Sequence, residues 1–448
     1  MRRATERGKS VSTIMTKRFA IRSIAPLLAI LLFTSKARVA GADTEINWPP
    51  RAFQIAAWCT PPEPFITKEQ YRKYESAGFT LLMPPCEGKG TKSENNKILD
   101  VARQTGLKVI IADSRMPLSV GGKQQALAAI KAIVNDYHKA PALMGYFLTD
   151  EPGAASFPGV AEVVAEFKRL DPEHVVYVNL FPNYASTNLK AQPSQLQTDT
   201  YDQYLSDFVK TVHPDLLSWD HYNFTKSGDR TGFFGNLYSI EQIANAPDHV
   251  RPFWQIVLSV QHGDYRKLSE NELRFEAMQS LVFGVSGLVY FTYWLPTDPS
   301  FTWENAIASR DGSSGPLFDG VKSVNKEVAV LEKYLYNTLW VETFQAGNLP
   351  ADGRAAAADD TIRVTGGGDF SVGVFRGAGG YVYTMVTNRS YASSATAAMS
   401  INLGKRPVEI LNIQTNKWSD LVSRRDSDDN TNFSLDLKPA AAALIRWK

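Results

Sequence analysis

Leu143-Met144-Gly145-Tyr146-Phe147-Leu148-Thr149-Asp150-Glu151-Pro152 joins an almost unbroken apolar run to two adjacent carboxyl groups. A short run without alternation fits a strand covered on both faces, as in a parallel sheet. Similar runs lie on either side. Ala52–Trp58, Phe79–Met83 and Lys108–Ala112 precede it, and Val175–Leu180, Leu216–Trp219, Phe253–Leu258 and Gly287–Trp294 follow. The intervening segments read as helices. Thr67-Lys68-Glu69-Gln70 and Ser269-Glu270-Asn271-Glu272 carry the capping-box pattern, and Gly78 and Gly106 stand where helices should end. Gln124–Tyr137 and Val160–Leu170 show helical spacing of apolar residues. Eight strands alternating with helices predict an α/β fold, a (β/α)8 TIM barrel. An open doubly wound sheet is the alternative, and the strand count of eight favours closure.

Beyond Asn337 helical periodicity stops and Gly, Ser, Thr and Asn become common. Phe370–Phe375, Tyr381–Val386, Ala398–Leu403, Phe433–Leu437 and Ala442–Trp447 alternate as half-buried strands do, and Gly377-Ala378-Gly379-Gly380 is a turn between the first two. This texture predicts an antiparallel β-sandwich after the barrel. The predicted domains are residues 43–337 for the barrel and 338–448 for the sandwich.

Residues 1–42 read as a secretory signal peptide: a basic start, the apolar stretch Ile24–Phe33 and an Ala40-Gly41-Ala42 cleavage pattern. An uncleaved anchor is the alternative, against which the apolar stretch is short for a bilayer. The leader carries nine basic residues and one acidic, while the whole chain is +2, which leaves about −6 for the remainder. An exported, mildly acidic chain is a poor match for nucleic acid and, once cleaved, has no membrane segment. Cys59 and Cys86, the two cysteines of the chain, follow neighbouring strands. In an oxidising compartment that placement favours a disulfide over two free thiols.

In such barrels the active site lies at the carboxyl ends of the strands. The predicted rim therefore carries Trp58, Asp113, Asp150, Glu151, Asn179, Asp220, His221, Tyr222, His262, Tyr293 and Trp294, with Trp303 and Glu304 in the loop after strand eight. Sugars call for this mixture, because their hydroxyls pair with amides and acids while their C–H faces pack on flat rings. Glycosidic cleavage needs two carboxyls, one protonated and one ionised. Glu151 is the expected proton donor and Asp220 the expected second acid, with Glu304 and Asp113 as alternatives. A gap of roughly 6–9 Å fits strands four and six. The plainer reading makes Asp150 and Glu151 caps of the helix after Pro152, Asp220 a partner of a rim Arg or His, and the rings core residues.

Thr149-Asp150-Glu151-Pro152 resembles the Asn-Glu-Pro signature of the clan A retaining glycoside hydrolases. The resemblance implies that Glu151 is the acid/base, that Asp150 takes the place of the substrate-binding Asn, and that a sugar is the substrate. The chain departs from that pattern at the end of strand seven, where Ser259, Gln261 and His262 stand in place of a nucleophilic Glu. That departure keeps open an inactive carbohydrate-binding barrel, and a lyase or transglycosylase using the same rim. Nothing resembles a nucleotide-binding glycine motif, H-E-x-x-H or G-x-S-x-G, and the six histidines lack metal-ligand spacing. No cofactor or metal is expected.

Overall fold

The structure is a computed structural model that describes residues 52–448 apart from 87, 89, 247–249, 358–360 and 404–405. The predicted signal peptide lies outside the described residues. Eight parallel strands form one sheet: Gln54–Ala57, Leu81–Leu82, Lys108–Ile111, Leu143–Asp150, Val175–Asn179, Leu217–Asp220, Phe253–Leu258 and Gly287–Phe291, hereafter strands one to eight. Strand one pairs with strand two on one side and strand eight on the other. The ring closes between strands five and six through the parallel bridge Leu180↔Trp219, where Leu180 N donates to Ser218 O at 2.8 Å. The (β/α)8 barrel is thus the fold the apolar runs predict.

The strands read as continuous apolar runs because both of their faces are covered. Ala56, Met83, Ile110, Met144, Phe147, Tyr177, Trp254 and Val289 pack inside the barrel. The alternate residues, such as Ile55, Leu82, Ile111, Tyr146 and Leu288, pack outward with the helices. The helix signals hold in detail. Ser269 and Glu272 form a complete capping box, Thr67 accepts from Gln70 N, and Gly106 closes its helix in the left-handed region at φ 76°.

Ten short strands between Leu339 and Trp447 build two antiparallel sheets, one of six and one of four, whose facing residues make a second core. The six-stranded sheet packs on the helix Glu270–Val282: Gln279 Nε2 donates to Thr387 Oγ1 at 3.0 Å, and Thr343 Oγ1 to Val282 O at 3.1 Å. Gly373 is fixed by this approach, because a Cβ there would collide with the Val282 carbonyl. The sandwich also reaches the barrel mouth. The Tyr391 hydroxyl donates to both carboxylate oxygens of Asp229, at 3.1 and 3.0 Å, in the short hairpin Phe224–Asp229 after strand six. Among the described residues no helix is long and apolar enough to cross a membrane.

Candidate active site

Strand four runs two residues further than its apolar run, so Asp150 is its last residue and Glu151 follows at once. Consecutive strand residues normally point to opposite faces. Glu151 breaks that alternation with φ 45°, a left-handed conformation that non-glycine residues adopt at a cost of about 1–3 kcal/mol, typically at functional sites. Its N–H still donates to Asn179 O at 2.9 Å, which continues the pairing with strand five. Neither acid caps the following helix. That helix, Phe157–Leu170, is entered from Ser156 through a 3-10 turn and has no side-chain cap.

Asn179 organises the acids. Its Nδ2 donates to Asp150 Oδ1 at 3.0 Å and to Asp220 Oδ1 at 2.9 Å, so both amide hydrogens are used. Its Oδ1 accepts from Ser218 Oγ at 3.2 Å, and Ser218 Oγ lies 2.6 Å from Tyr177 OH. A serine has one hydroxyl hydrogen, so the direction is fixed: Tyr177 donates to Ser218, Ser218 to Asn179, and Asn179 to two acids. The chain of donors sets the amide orientation from within the barrel.

The Glu151 carboxyl meets that of Asp220 as a hydrogen-bonding pair. Burial, then the charges of Asp220 and Asp150, push Glu151 far above the usual carboxylate range. Burial and Asp150 push Asp220 up as well, while Asn179 and Glu151 pull against them. Asp150 is raised by its crowded surroundings and relieved by Asn179. Part of its surface is nevertheless exposed. Two touching carboxyls cannot both ionise, so they titrate together and hold one proton between them near neutrality. That proton belongs to the pair rather than to either acid alone.

This contact corrects the expected 6–9 Å gap. Glu151 and Asp220 are closer than both the acid–nucleophile and the acid–base spacings of about 5–5.5 and 6.5–9.5 Å. Asp220 is therefore a proton-sharing neighbour, not an acid on the far side of a sugar. Its partners are Asn179 and Glu151, not a rim Arg or His.

The other predicted residues divide sharply. Trp58, Tyr222 and the unanticipated Phe291 are partly exposed and sit on top of the barrel-interior core. Trp58 packs edge-on against Phe147 at 5.0 Å, and Tyr222 lies parallel to Phe291 at 5.7 Å. His262 stacks on Trp303 at 4.5 Å, and Trp303 is pinned by its Nε1–H to Asp298 O at 2.8 Å. Glu304 is exposed and held by backbone hydrogen bonds with Gln261.

Four expectations are overturned. Asp113 is 0 % exposed and accepts from Arg115 and Tyr137, so it is a structural anchor. His221 is buried between Tyr184 and Phe233, with Nδ1 on Asn236 Oδ1 at 3.0 Å, and burial lowers it to about 4. It is neutral and has no open face for a substrate. Tyr293 and Trp294 are core residues, because strand eight ends at Phe291 and the chain turns to pair with Trp58 O and Cys59 O. Their rings pack on Tyr74, Phe79 and Phe65.

Arg230 and Tyr265 were not anticipated. Arg230 lies over the Tyr184 ring at 4.1 Å, and Tyr265 packs on both Tyr222 and His262. Both come from loops whose length hides their position in the sequence. Cys59 and Cys86 form the expected disulfide beside the first two strand ends. Among the described residues no group of three His, Cys, Asp or Glu side chains is arranged to hold a metal ion. A cavity of about 50 Å³ between Phe53, Leu281, Trp340 and Phe375 lies at the sandwich side and is too small for a sugar.

No family model and no curated protein sequence matches this chain. Solved structures match its fold. One described as a glycoside hydrolase superposes with a TM-score of 0.55 at 13% identity, over 88% of this chain and 92% of its own. A glycoside hydrolase family 5 protein from Bacteroides vulgatus gives 0.55 at 14% identity, over 88% and 89%. Gan42B, a GH42 β-galactosidase from G. stearothermophilus, gives 0.57 at 8% identity, over 88% and 98%. At these identities the likeness is one of fold.

Proposed function

We propose that the chain hydrolyses glycosidic bonds of a poly- or oligosaccharide, with Glu151 delivering a proton to the leaving oxygen. One observation carries this reading: the hydrogen-bonding carboxyls of half-buried Glu151 and buried Asp220 at the carboxyl end of the barrel, where partly exposed aromatic rings cover the interior core. A general acid for hydrolysis near neutrality needs a raised affinity for its proton. Asn179 and Asp220 act on Glu151 rather than on the sugar. Trp58, Tyr222, Phe291 and Trp303 offer apolar faces to pyranose rings. Water supplies the hydroxyl that ends on the anomeric carbon. Export through the leader at residues 1–42 belongs to the same proposal, and the Cys59–Cys86 disulfide supports it.

The adjacency of Asp150 and Glu151 favours a second reading of the same reaction. An acid beside the donor is badly placed for the far face of the anomeric carbon, but it can hold a substituent of the reacting sugar. In substrate-assisted hydrolysis a 2-acetamido carbonyl attacks that carbon and an acid accepts the amide N–H. Asp150, part of whose surface is exposed, suits that task.

The test is turnover of a glycan and aryl-glycoside panel by wild type and Glu151→Gln, with matched 2-hydroxy and 2-acetamido substrates. Loss of about 10²–10⁴-fold in Glu151→Gln is expected on poor leaving groups, with little loss on dinitrophenyl glycosides, which leave without a proton. Equal activity in both proteins removes Glu151 from the mechanism. Cleavage confined to 2-acetamido substrates selects the second reading. Products absorbing in the ultraviolet indicate a lyase, and binding without turnover indicates an inactive barrel.

A further inference from the structure

We propose that Arg230 forms a subsite for a negatively charged substituent of the glycan, a uronate carboxylate or a sulfate ester. The inference rests on the carbohydrate reading above and names the class of sugar. Arg230 follows the hairpin after strand six, half-buried at the mouth. Its Nε donates to Tyr222 O at 3.2 Å and its Nη2 to Tyr265 OH at 3.4 Å. The guanidinium carbon lies 4.1 Å from the Tyr184 ring centroid and 5.7 Å from that of Tyr265, and the two tyrosine hydroxyls are 3.5 Å apart. Tyr222, whose carbonyl Arg230 holds, lies two residues beyond Asp220 at the end of strand six, so the cation sits beside the acids at the strand ends.

Its neighbours on the rim have acid partners. Arg115 is neutralised by Asp113 and Asp136, and Arg266 by Asp229 and Glu272. Among the described residues Arg230 has no carboxylate within ion-pair distance. Held by two hydrogen bonds and by the Tyr184 ring, it loses little side-chain freedom on binding, and its planar fork matches a carboxylate or sulfate bidentately. An acidic sugar brought to a recess holding Asp150 and Asp220 meets like charge. A fixed cation not already matched by a protein acid is what offsets that repulsion. A purely structural role, pinning the hairpin by cation–π contact, makes a different prediction, because it has no preference for substrate charge.

The experiment uses the full chain carrying Glu151→Gln, so that probes bind without turnover, with and without Arg230→Gln. Calorimetry is run with three tetrasaccharides: a galactan, its sulfated form, and an oligogalacturonide. At least tenfold tighter binding of one charged probe than of the galactan is expected, the sulfated and uronate arms identifying which. Arg230→Gln should abolish that preference, Arg230→Lys should retain part of it, and the melting temperature should stay within a few degrees. Equal weakening of charged and neutral probes overturns the inference, as does the absence of any charge preference. Turnover of neutral glycans by wild type with no charge preference leaves the hydrolase reading standing and removes this one. Arg230-dependent binding of an acidic glycan that wild type never cleaves does the reverse. If no probe binds, this inference falls, and the hydrolase reading is decided by turnover of the glycan panel.

Discussion

Glu151 and Asp220 come from strands four and six and put their carboxyl groups in hydrogen-bonding contact. The pair binds its proton more tightly in the fold than in the unfolded chain, where carboxyls titrate near 4. The sign follows. A carboxyl raised on folding supports stability fully below its unfolded pKa, and that support is lost as pH rises through the folded value. Stability should therefore decline from mildly acidic toward alkaline pH, and activity should fall on the alkaline side as Glu151 loses its proton. Asp220→Asn removes the charge that raises Glu151. Its alkaline limb in a kcat/KM profile should move down by about one pH unit or more. A limb that stays in place would show that Asp220 does not control the donor.

Asn179 is tested by charge rather than by size. Asn179→Asp replaces two donated hydrogens with a further acid among Asp150, Glu151 and Asp220. A loss of about 2–4 kcal/mol is expected from urea titration at pH 8, smaller at pH 5 where the cluster can take up protons. Equal losses at the two pH values would mean that Asn179 acts by packing alone.

Most of the fold was legible and about half of the site was. Strands enclosed on both faces announce themselves by composition, and the Ser269 box and Gly106 mark helix ends by local chemistry that tertiary contacts do not override. Glu151 was legible because motif and strand end coincide. The errors share one cause: a sequence gives a residue's place along a strand, not where the strand stops. Tyr293 and Trp294 were placed on the rim because the apolar run outlasts the strand, which ends at Phe291. Asp113 was misread because Arg115, two residues on, folds back onto it. Arg230 and Tyr265 meet across separate loops, a pairing that no spacing encodes.

The Cys59–Cys86 bridge joins the ends of strands one and two across a separation of 27 residues. A loop of that size corresponds to about 3.5 kcal/mol of restricted unfolded-chain entropy. The double substitution Cys59→Ser/Cys86→Ser should lower the melting temperature by several degrees and abolish its sensitivity to reductant. It should leave the pH profile unchanged, since neither sulfur touches the acids. An unchanged melting temperature would remove the bridge from the stability account.

Tyr391 links the sandwich to the hairpin that precedes Arg230. Tyr391→Phe removes a hydrogen bond to a carboxylate at about 1.5–3 kcal/mol, on a segment that frames the mouth without touching the acids. KM should rise several-fold while kcat changes little. A change confined to kcat would argue that the hairpin reaches the chemistry itself.

The same contact ties the barrel mouth to the assembly of the sandwich. Tyr391 belongs to a sandwich in which the strand Ala442–Trp447 pairs with both Val382–Asn388 and Glu409–Asn412, at the heart of the larger sheet. That sheet lacks its middle until the strand Ala442–Trp447 is in place. The entrance of the barrel is therefore braced only once that strand has paired, so the framing of the mouth depends on the assembly of the sandwich.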